Sequence, residues 1–134
     1  MPTTRQQGAF AEKVVCRYLE EQGYAIVAQN VYIGGGEIDI IASHGEYLAF
    51  VEVKSRTAAP YSAKYGRPAL AVTAKKKAMM LVAAREYLRA NPTHLRPRLD
   101  IAEVVIHRHE GEERFDIRHF PNAVIQTRRE TNNE

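Results

Sequence analysis

Several acidic side chains sit where the surrounding sequence calls for apolar ones. With about 100° of turn per residue, Gly8, Ala9, Val15, Cys16 and Leu19 all fall within roughly 60° of Glu12. Glu12 therefore lies near the middle of the face that a helix here must bury. A carboxylate in that position is costly to desolvate without a partner. Taken alone, it equally fits a glutamate that reaches past the core to water or forms a structural ion pair. A second group lies in the segment GEIDIIASHGEYLAFVEVK, residues 36–54. With His44 and Gly45 at the centre of a turn, Glu37 faces Glu52, Asp39 faces Phe50 and Ile41 faces Leu48. Glu37, Asp39, Glu52 and Lys54 then share one face, with Asp39 and Glu52 diagonal neighbours roughly 7 Å apart. A one-residue bulge would break that register. Carboxylates so close destabilise a ladder unless compensated, and a hard cation held by oxygens is one compensation. Magnesium takes one or two carboxylates together with waters and substrate phosphates, at about 2.0–2.1 Å. Lys54 on the same face would offset charge developing on a phosphate or a metal-activated hydroxide. A cross-strand salt bridge of Lys54 with Glu52 or Glu37 is the structural alternative. The apolar flanks Val51 and Val53, which mark a central strand, favour the chemical one.

The elements that must position these groups are legible in outline. Residues 8–22 read as a helix ended by Gly23, and 24–30 as a strand. Gly34, Gly35 and Gly36 break the chain before the hairpin 37–42 and 47–54. Residues 55–72 read as a mobile loop in which Tyr61 and Tyr65 interleave with Lys64 and Arg67. Thr73 caps a helix over roughly 74–90, on whose apolar stripe Arg85 is expected to pair with an acid. Strands follow at 99–106 and near 114–119, with a turn at 110–113. The order is α-β-β-β-α-β-β in a single domain spanning 1–134, with a core at 8–123 and a tail, 124–134, that frays. A strand, a long helix and a strand imply a right-handed parallel crossover. The fold class is α/β, a mixed central sheet with helices on both faces.

Composition narrows the function classes. The chain has 134 residues, 45% hydrophobic and 26% charged, and one cysteine, Cys16. That excludes an intrachain disulfide and a zinc site built on paired cysteines. Without a long apolar run or signal peptide, the expectation is a soluble, cytoplasmic protein that engages no membrane. The net charge of +3 hides a segregation. Residues 54–98 hold eleven Lys/Arg against one acid, Glu86, so this segment carries +10 and the remainder −7. Such a segment suits a polyanion. Lys75, Lys76 and Lys77 open the second helix, where the macrodipole disfavours cations but exposed N–H groups favour phosphate. His107 and His109 share a strand face and read as surface residues. Cys16 reads as a small core residue.

GEIDIIA (36–42) followed by FVEVKSR (50–56) resembles the restriction-endonuclease-like superfamily, whose core pattern is an acid, a spacer, then Asp/Glu-x-Lys. The residue before Asp39 is Ile38, where the superfamily motif carries proline. More closely, the chain resembles the YraN-type family of small bacterial proteins. Gly8, Glu12, Asn30, the two strings above, the lysine-rich helix, Arg98-Leu99-Asp100 and His119-Phe120-Pro121-Asn122-Ala123 carry that likeness. The resemblance implies a restriction-endonuclease-like core, with Asp39 and Glu52 as metal-binding acids and Lys54 as the catalytic lysine. It also implies that Glu12 is the helix-borne acid of the archaeal Holliday-junction resolvase branch, and that the Val53 backbone carbonyl completes the metal shell. The expected activity is phosphodiester hydrolysis on DNA with Mg2+ or Mn2+. Glu37 would extend the metal shell, and Arg56, Lys64, Arg67, Lys75, Lys76 and Lys77 would hold the nucleic acid. A homodimer is compatible with this. Two other readings stay open: a non-catalytic nucleic-acid-binding module on the same fold, and a partner-binding protein whose acids form salt bridges.

Overall fold

A computed structural model of the chain describes residues 4–58 and 73–123. The expected residues Tyr61, Lys64, Tyr65 and Arg67, and the tail from 124, lie outside the described residues. The order of elements is α1 (Thr4–Glu21), β1 (Ala25–Ile33), β2 (Gly36–His44), β3 (Tyr47–Thr57), α2 (Ala74–Ala90), β4 (Arg96–His109) and β5 (Glu112–Phe120). The five strands form one mixed sheet in sequence order. Among the described residues β3 and β4 pair in parallel, joined through α2, and the other neighbours are antiparallel. Among the described residues no helix is long and apolar enough to cross a membrane.

Each helix ends for a local reason. The Tyr24 and Gly23 amides donate to the Leu19 and Glu20 carbonyls at 2.9 and 3.0 Å, closing α1 in a Schellman motif. This needs the left-handed residue Gly23, with φ 97°. The Thr73 hydroxyl accepts from the Lys76 amide at 3.1 Å and opens α2 as its N-cap. The two helices cover opposite faces. Ala11, Val15, Cys16 and Leu19 of α1 pack on Ile40, Ala42, Ala49, Val51, Ala102 and Val104. Met80, Ala83 and Ala84 of α2 pack on Ile38, Ile41, Leu48, Phe50, Leu99 and Ile101. Arg85 is exposed, contrary to its expected place on the buried stripe, because the buried face of α2 centres on 80, 83 and 84. At the β1–β2 turn, a Cβ on Gly34 would meet Glu86 Cγ at 3.2 Å and Val82 Cγ1 at 3.3 Å, which fits the hairpin tip closely onto α2.

The β2–β3 hairpin corrects the sequence reading. Its turn is Gly45–Glu46, and the register pairs His44 with Tyr47, Ile41 with Phe50 and Ile40 with Val51. The pairing is thus displaced by two residues from the expected one, in which Ile41 faced Leu48. An even displacement preserves the faces but puts Asp39 level with Glu52 rather than with Phe50. Residues 55–57, expected in a loop, extend β3 and pair with Val104, Val105 and Ile106.

Away from the acids that opened the sequence reading, a second polar cluster ties the sheet together. Asp100, fully buried, accepts from Arg98 Nε and Nη2, both at 3.0 Å, and from the Asn122 amide at 2.8 Å. His119 Nε2 lies 2.8 Å from its Oδ2, and Arg98 Nη2 also donates to the Tyr24 hydroxyl at 2.6 Å. The cluster joins β4 to the end of β5 and to Tyr24, the residue that precedes β1. Burial alone would raise the Asp100 pKa, but the His119, Arg98 and Asn122 hydrogen bonds and the Arg98 charge hold it below the usual 3.8. Its stabilisation is therefore complete above the ordinary carboxylate range and is lost as pH falls through the still lower folded value. Asp100→Ala, which takes the carboxylate from the half-buried Arg98 guanidinium and the acceptor from His119, is expected to cost about 2–4 kcal/mol in urea unfolding at neutral pH.

Candidate functional site

The acids of interest meet where β2 and β3 part. The backbone ladder between these strands ends at Ile40–Val51. One step further on, the Val53 N–H donates at 2.8 Å to Asp39 Oδ2. A side chain has taken the place of a strand. The cause lies in a paired irregularity of β1 and β2. Rungs Gln29–Ile40 and Val31–Ile38 flank Asn30 and Asp39, and Asn30 adopts the left-handed φ of 51°. Side-chain alternation breaks at the same level: Ile38 packs on the α2 side, while Ile40, two residues on, packs on the α1 side. A regular strand would put both on one face.

Asp39 is thereby turned towards α1, whose half-buried Glu12 sits opposite. One carboxylate oxygen from each of Glu12, Glu37 and Asp39 lies within 4.8 Å of the others. Asn30 joins them. With its amide nitrogen turned to the acids, the orientation its surroundings require, it donates to Glu12 Oε1 and to Glu37 Oε2, both at 3.0 Å. Glu52, 9% exposed like Asp39, stands at the same opening but outside this close group. It shares a small cavity with Glu37, Ile38 and Phe50, and its Oε2 lies 3.4 Å from Lys76 Nζ. The expected single face of Glu37, Asp39, Glu52 and Lys54 is thus divided. The irregularity at Asp39 carries Glu37 to Glu12, while Glu52 keeps to the α2 side. Lys54 is half-buried on β3 beside Glu103 of β4, and among the described residues no ion pair joins it to Glu52 or Glu37. The Val53 amide is committed to Asp39. Arg56 pairs with Glu103 at 3.0 Å, and Lys75 and Lys77 are exposed on the first turn of α2.

Electrostatics mark the group as unfinished. Burial, and then the Glu52, Glu12 and Glu37 charges, push the Asp39 pKa up to about 7 in spite of the Val53 hydrogen bond. Glu12 is raised as well, by burial and by Glu37 and Glu52, with Asn30 acting against the shift. Tyr32, exposed and paired with Glu37 across the β1–β2 ladder, is raised mainly by the Glu37 charge. All the ligand atoms here are hard carboxylate oxygens. Such a set fits magnesium or manganese and not a soft thiolate-seeking ion. A dication would offset both the burial and the neighbouring charges that raise the Asp39 pKa.

Sequence reasoning gave Asn30 no role and did not foresee the Lys76–Glu52 pair. A polar Asn closing the apolar strand YAIVAQN was the available signal for the first. The second depends on the crossover helix returning its first turn to the strand it left, which no local pattern specifies.

The model of the uncharacterised protein family UPF0102 matches residues 11–117, and the chain belongs to that family. It is 36% identical over 121 residues to a UPF0102 protein of Carboxydothermus hydrogenoformans, covering 90% of this chain and 96% of the relative. A UPF0102 protein of Dehalococcoides mccartyi is 37% identical over 101 residues, 75% of this chain and 80% of the relative. One of Clostridium acetobutylicum is 34% identical over 120 residues, 89% and 93% respectively.

The raised Asp39 pKa has a defined sign. Between the ordinary value of 3.8 and about 7, the unfolded chain gives up a proton that the folded one keeps, so this group destabilises the fold increasingly as pH rises. Asp39→Asn, which keeps an acceptor for the Val53 amide, is expected to stabilise the metal-free protein by about 2–4 kcal/mol at pH near 8 and by almost nothing near pH 4. Urea unfolding at the two pH values checks it.

Proposed function

We propose that this UPF0102 chain is a divalent-metal-dependent nuclease that binds DNA and hydrolyses phosphodiester bonds, on a restriction-endonuclease-like core similar to that of archaeal Holliday-junction resolvases. The observation that carries the reading is the opening between β2 and β3. There Asp39, anchored on the Val53 amide, meets Glu12 and Glu37 beside the Glu52-x-Lys54 pair. Three carboxylate oxygens within 4.8 Å of one another, with the Asp39 pKa pushed up to about 7, form an arrangement that a divalent cation would stabilise.

In this reading Asp39 and Glu52 hold Mg2+ or Mn2+, with the Val53 carbonyl and Glu37 completing the shell. The ion supplies Lewis-acid stabilisation of a phosphoryl oxygen and lowers the pKa of water. The remaining work falls to the chain. The Asn30 amide bridges the Glu12 and Glu37 carboxylates and holds both in place. Asp39 is fixed by the Val53 amide and so keeps its aim when the ion comes and goes. Lys54, unpaired with the acids of the site, orients the attacking water and offsets charge developing on the phosphate. Lys76, 3.4 Å from Glu52, compensates the charge of that acid. The exposed Lys75 and Lys77, with Arg56, Lys64 and Arg67, hold the phosphate backbone.

The Lys76–Glu52 pair also favours a second reading, a non-catalytic DNA-binding module, because it compensates one acid without any metal. Cleavage of plasmid and branched DNA with magnesium and with manganese separates the two. The nuclease reading expects metal-dependent cleavage that falls by about 100-fold or more in Asp39→Ala and in Lys54→Ala. Salt-sensitive binding without cleavage by the wild type would leave the binding module, and neither binding nor cleavage would leave a partner-binding protein.

A further inference from the structure

On the face covered by α2, the sheet continues past the helix. The last apolar residues of β4 packed beneath α2 are Leu99 and Ile101; the next three on that face are Glu103, Val105 and His107. The register places Lys54, Glu103 and Arg118 in one row across β3, β4 and β5, and Arg56, Val105 and Asp116 in the next. His107 and Arg114 form the row after that. These side chains border an open groove of about 740 Å3 lined by Arg56, His107, Arg108, Arg114, Asp116 and Arg118, to which α2 contributes nothing among the described residues. We infer that this groove is a track for the phosphate backbone of nucleic acid, leading away from Lys54 across β4 and β5. The inference rests on the proposed DNA substrate and assigns the surface that grips it.

Arg56, Arg114 and Arg118 line the groove with one acid, Asp116, which pairs with His107 at 2.9 Å, while Arg108 is held by Glu113 at 2.6 Å; guanidinium forks match phosphate oxygens two at a time. Their placement is built rather than scattered. Glu103, 1% exposed, lies beneath the groove and holds Arg56 Nε at 3.0 Å, while its Oε1, 3.8 Å from Arg118 Nη1, has no hydrogen-bond partner among the described residues. A buried carboxylate beneath two guanidinium groups holds Arg56 in place and draws Arg118 towards it. Arg114 is exposed, and no acid among the described residues lies within ion-pair distance of it. The groove also lies at the carboxyl ends of the parallel pair β3 and β4, the usual position for a ligand crevice in α/β sheets. It is within reach of the candidate chemistry. Arg56 follows Lys54 by two residues, about 6.6 Å along the strand, and Arg118 stands two strand spacings away, roughly 9.6 Å. A backbone held at Lys54 crosses these arginines without bending away from the sheet.

The test is fluorescence anisotropy of labelled duplex and branched DNA with the full chain, in EDTA so that no cleavage occurs, over a range of salt. Each arginine that neutralises a phosphate contributes about 0.9 to the slope of log affinity against log salt, which is about eightfold in affinity at about 0.1 M. Arg114→Ala is expected to lose that much and Arg114→Lys to recover most of it. Arg114→Ala/Arg118→Ala should lose roughly the square of it. Arg118 touches Glu103, so thermal melting accompanies the double variant; Arg114→Ala alone keeps the test decisive. Unchanged affinity and slope in Arg114→Ala and the double variant would overturn the inference, as would a wild type that binds no DNA. Loss of binding in the groove variants with a wild type that never cleaves in metal would retire the nuclease reading and leave the groove standing. Cleavage with normal binding by the groove variants would do the reverse.

Discussion

The Val53 amide can bond to the backbone of β2 or to the carboxylate of Asp39, and in this fold it bonds to Asp39. That choice ends the β2–β3 ladder at Ile40–Val51 and opens the sheet by one side chain. An opened sheet would ordinarily leave unsatisfied backbone groups. Here the carboxylate satisfies the amide, and the opening becomes a cleft. The rest of the site follows. Asn30 takes a left-handed conformation level with Asp39, Glu37 is carried round to Glu12, and Glu52 is left on the opposite lip with Lys76.

Asp39 and Asp100 are useful opposites. Both are buried aspartates in neighbouring parts of one sheet, at 9% and 0% exposed. Asp100 is supplied with donors from Arg98, Asn122 and His119, and its pKa is depressed. Asp39 has one backbone donor and three acids around it, and its pKa rises to about 7. The same residue type in similar burial is a completed structural tie in one place and an uncompensated charge in the other. A sheet needing only cohesion would have built the second like the first. The cost of leaving Asp39 unfinished is what makes a ligand for it physically reasonable.

The order of elements, the crossover, the covered faces and the Thr73 cap were legible in the sequence because each depends on local periodicity or a local hydrogen bond. The acids at 12, 37, 39 and 52 were legible as misfits in apolar surroundings. Their arrangement was not. A turn shifted from His44–Gly45 to Gly45–Glu46 changes every cross-strand partner while leaving the alternating pattern intact, so hydrophobicity cannot distinguish the two registers. The irregularity at Asn30 and Asp39 inverts the faces on one side of it, and no composition rule specifies that inversion. Asp100 and Glu103 stood in plain view as charges inside LDIAEVVI. Apart from Arg98, two residues before Asp100, what they hold comes from β3, from β5 and from Asn122, all remote in sequence.

The structure also moves the argument for a polyanion partner. In the sequence, three lysines on the first turn of α2 stand against the helix dipole, and a bound phosphate is one reason for them. Lys76 has a sufficient local reason, because Glu52 is within 3.4 Å and the attraction between the two offsets the dipole. Lys76 therefore loses force as a sign of phosphate binding, and only the exposed Lys75 and Lys77 retain it. The arginines of β5 gain what Lys76 loses. Arg114 and Arg118 belong to the half of the chain whose formal balance is acidic, so a charge count along the sequence hides them. Folding sets them beside Arg56, across β4, and turns two dispersed charges into part of one groove. The segregation that matters to a phosphate backbone is the one on the sheet face, and sequence position recorded only half of it.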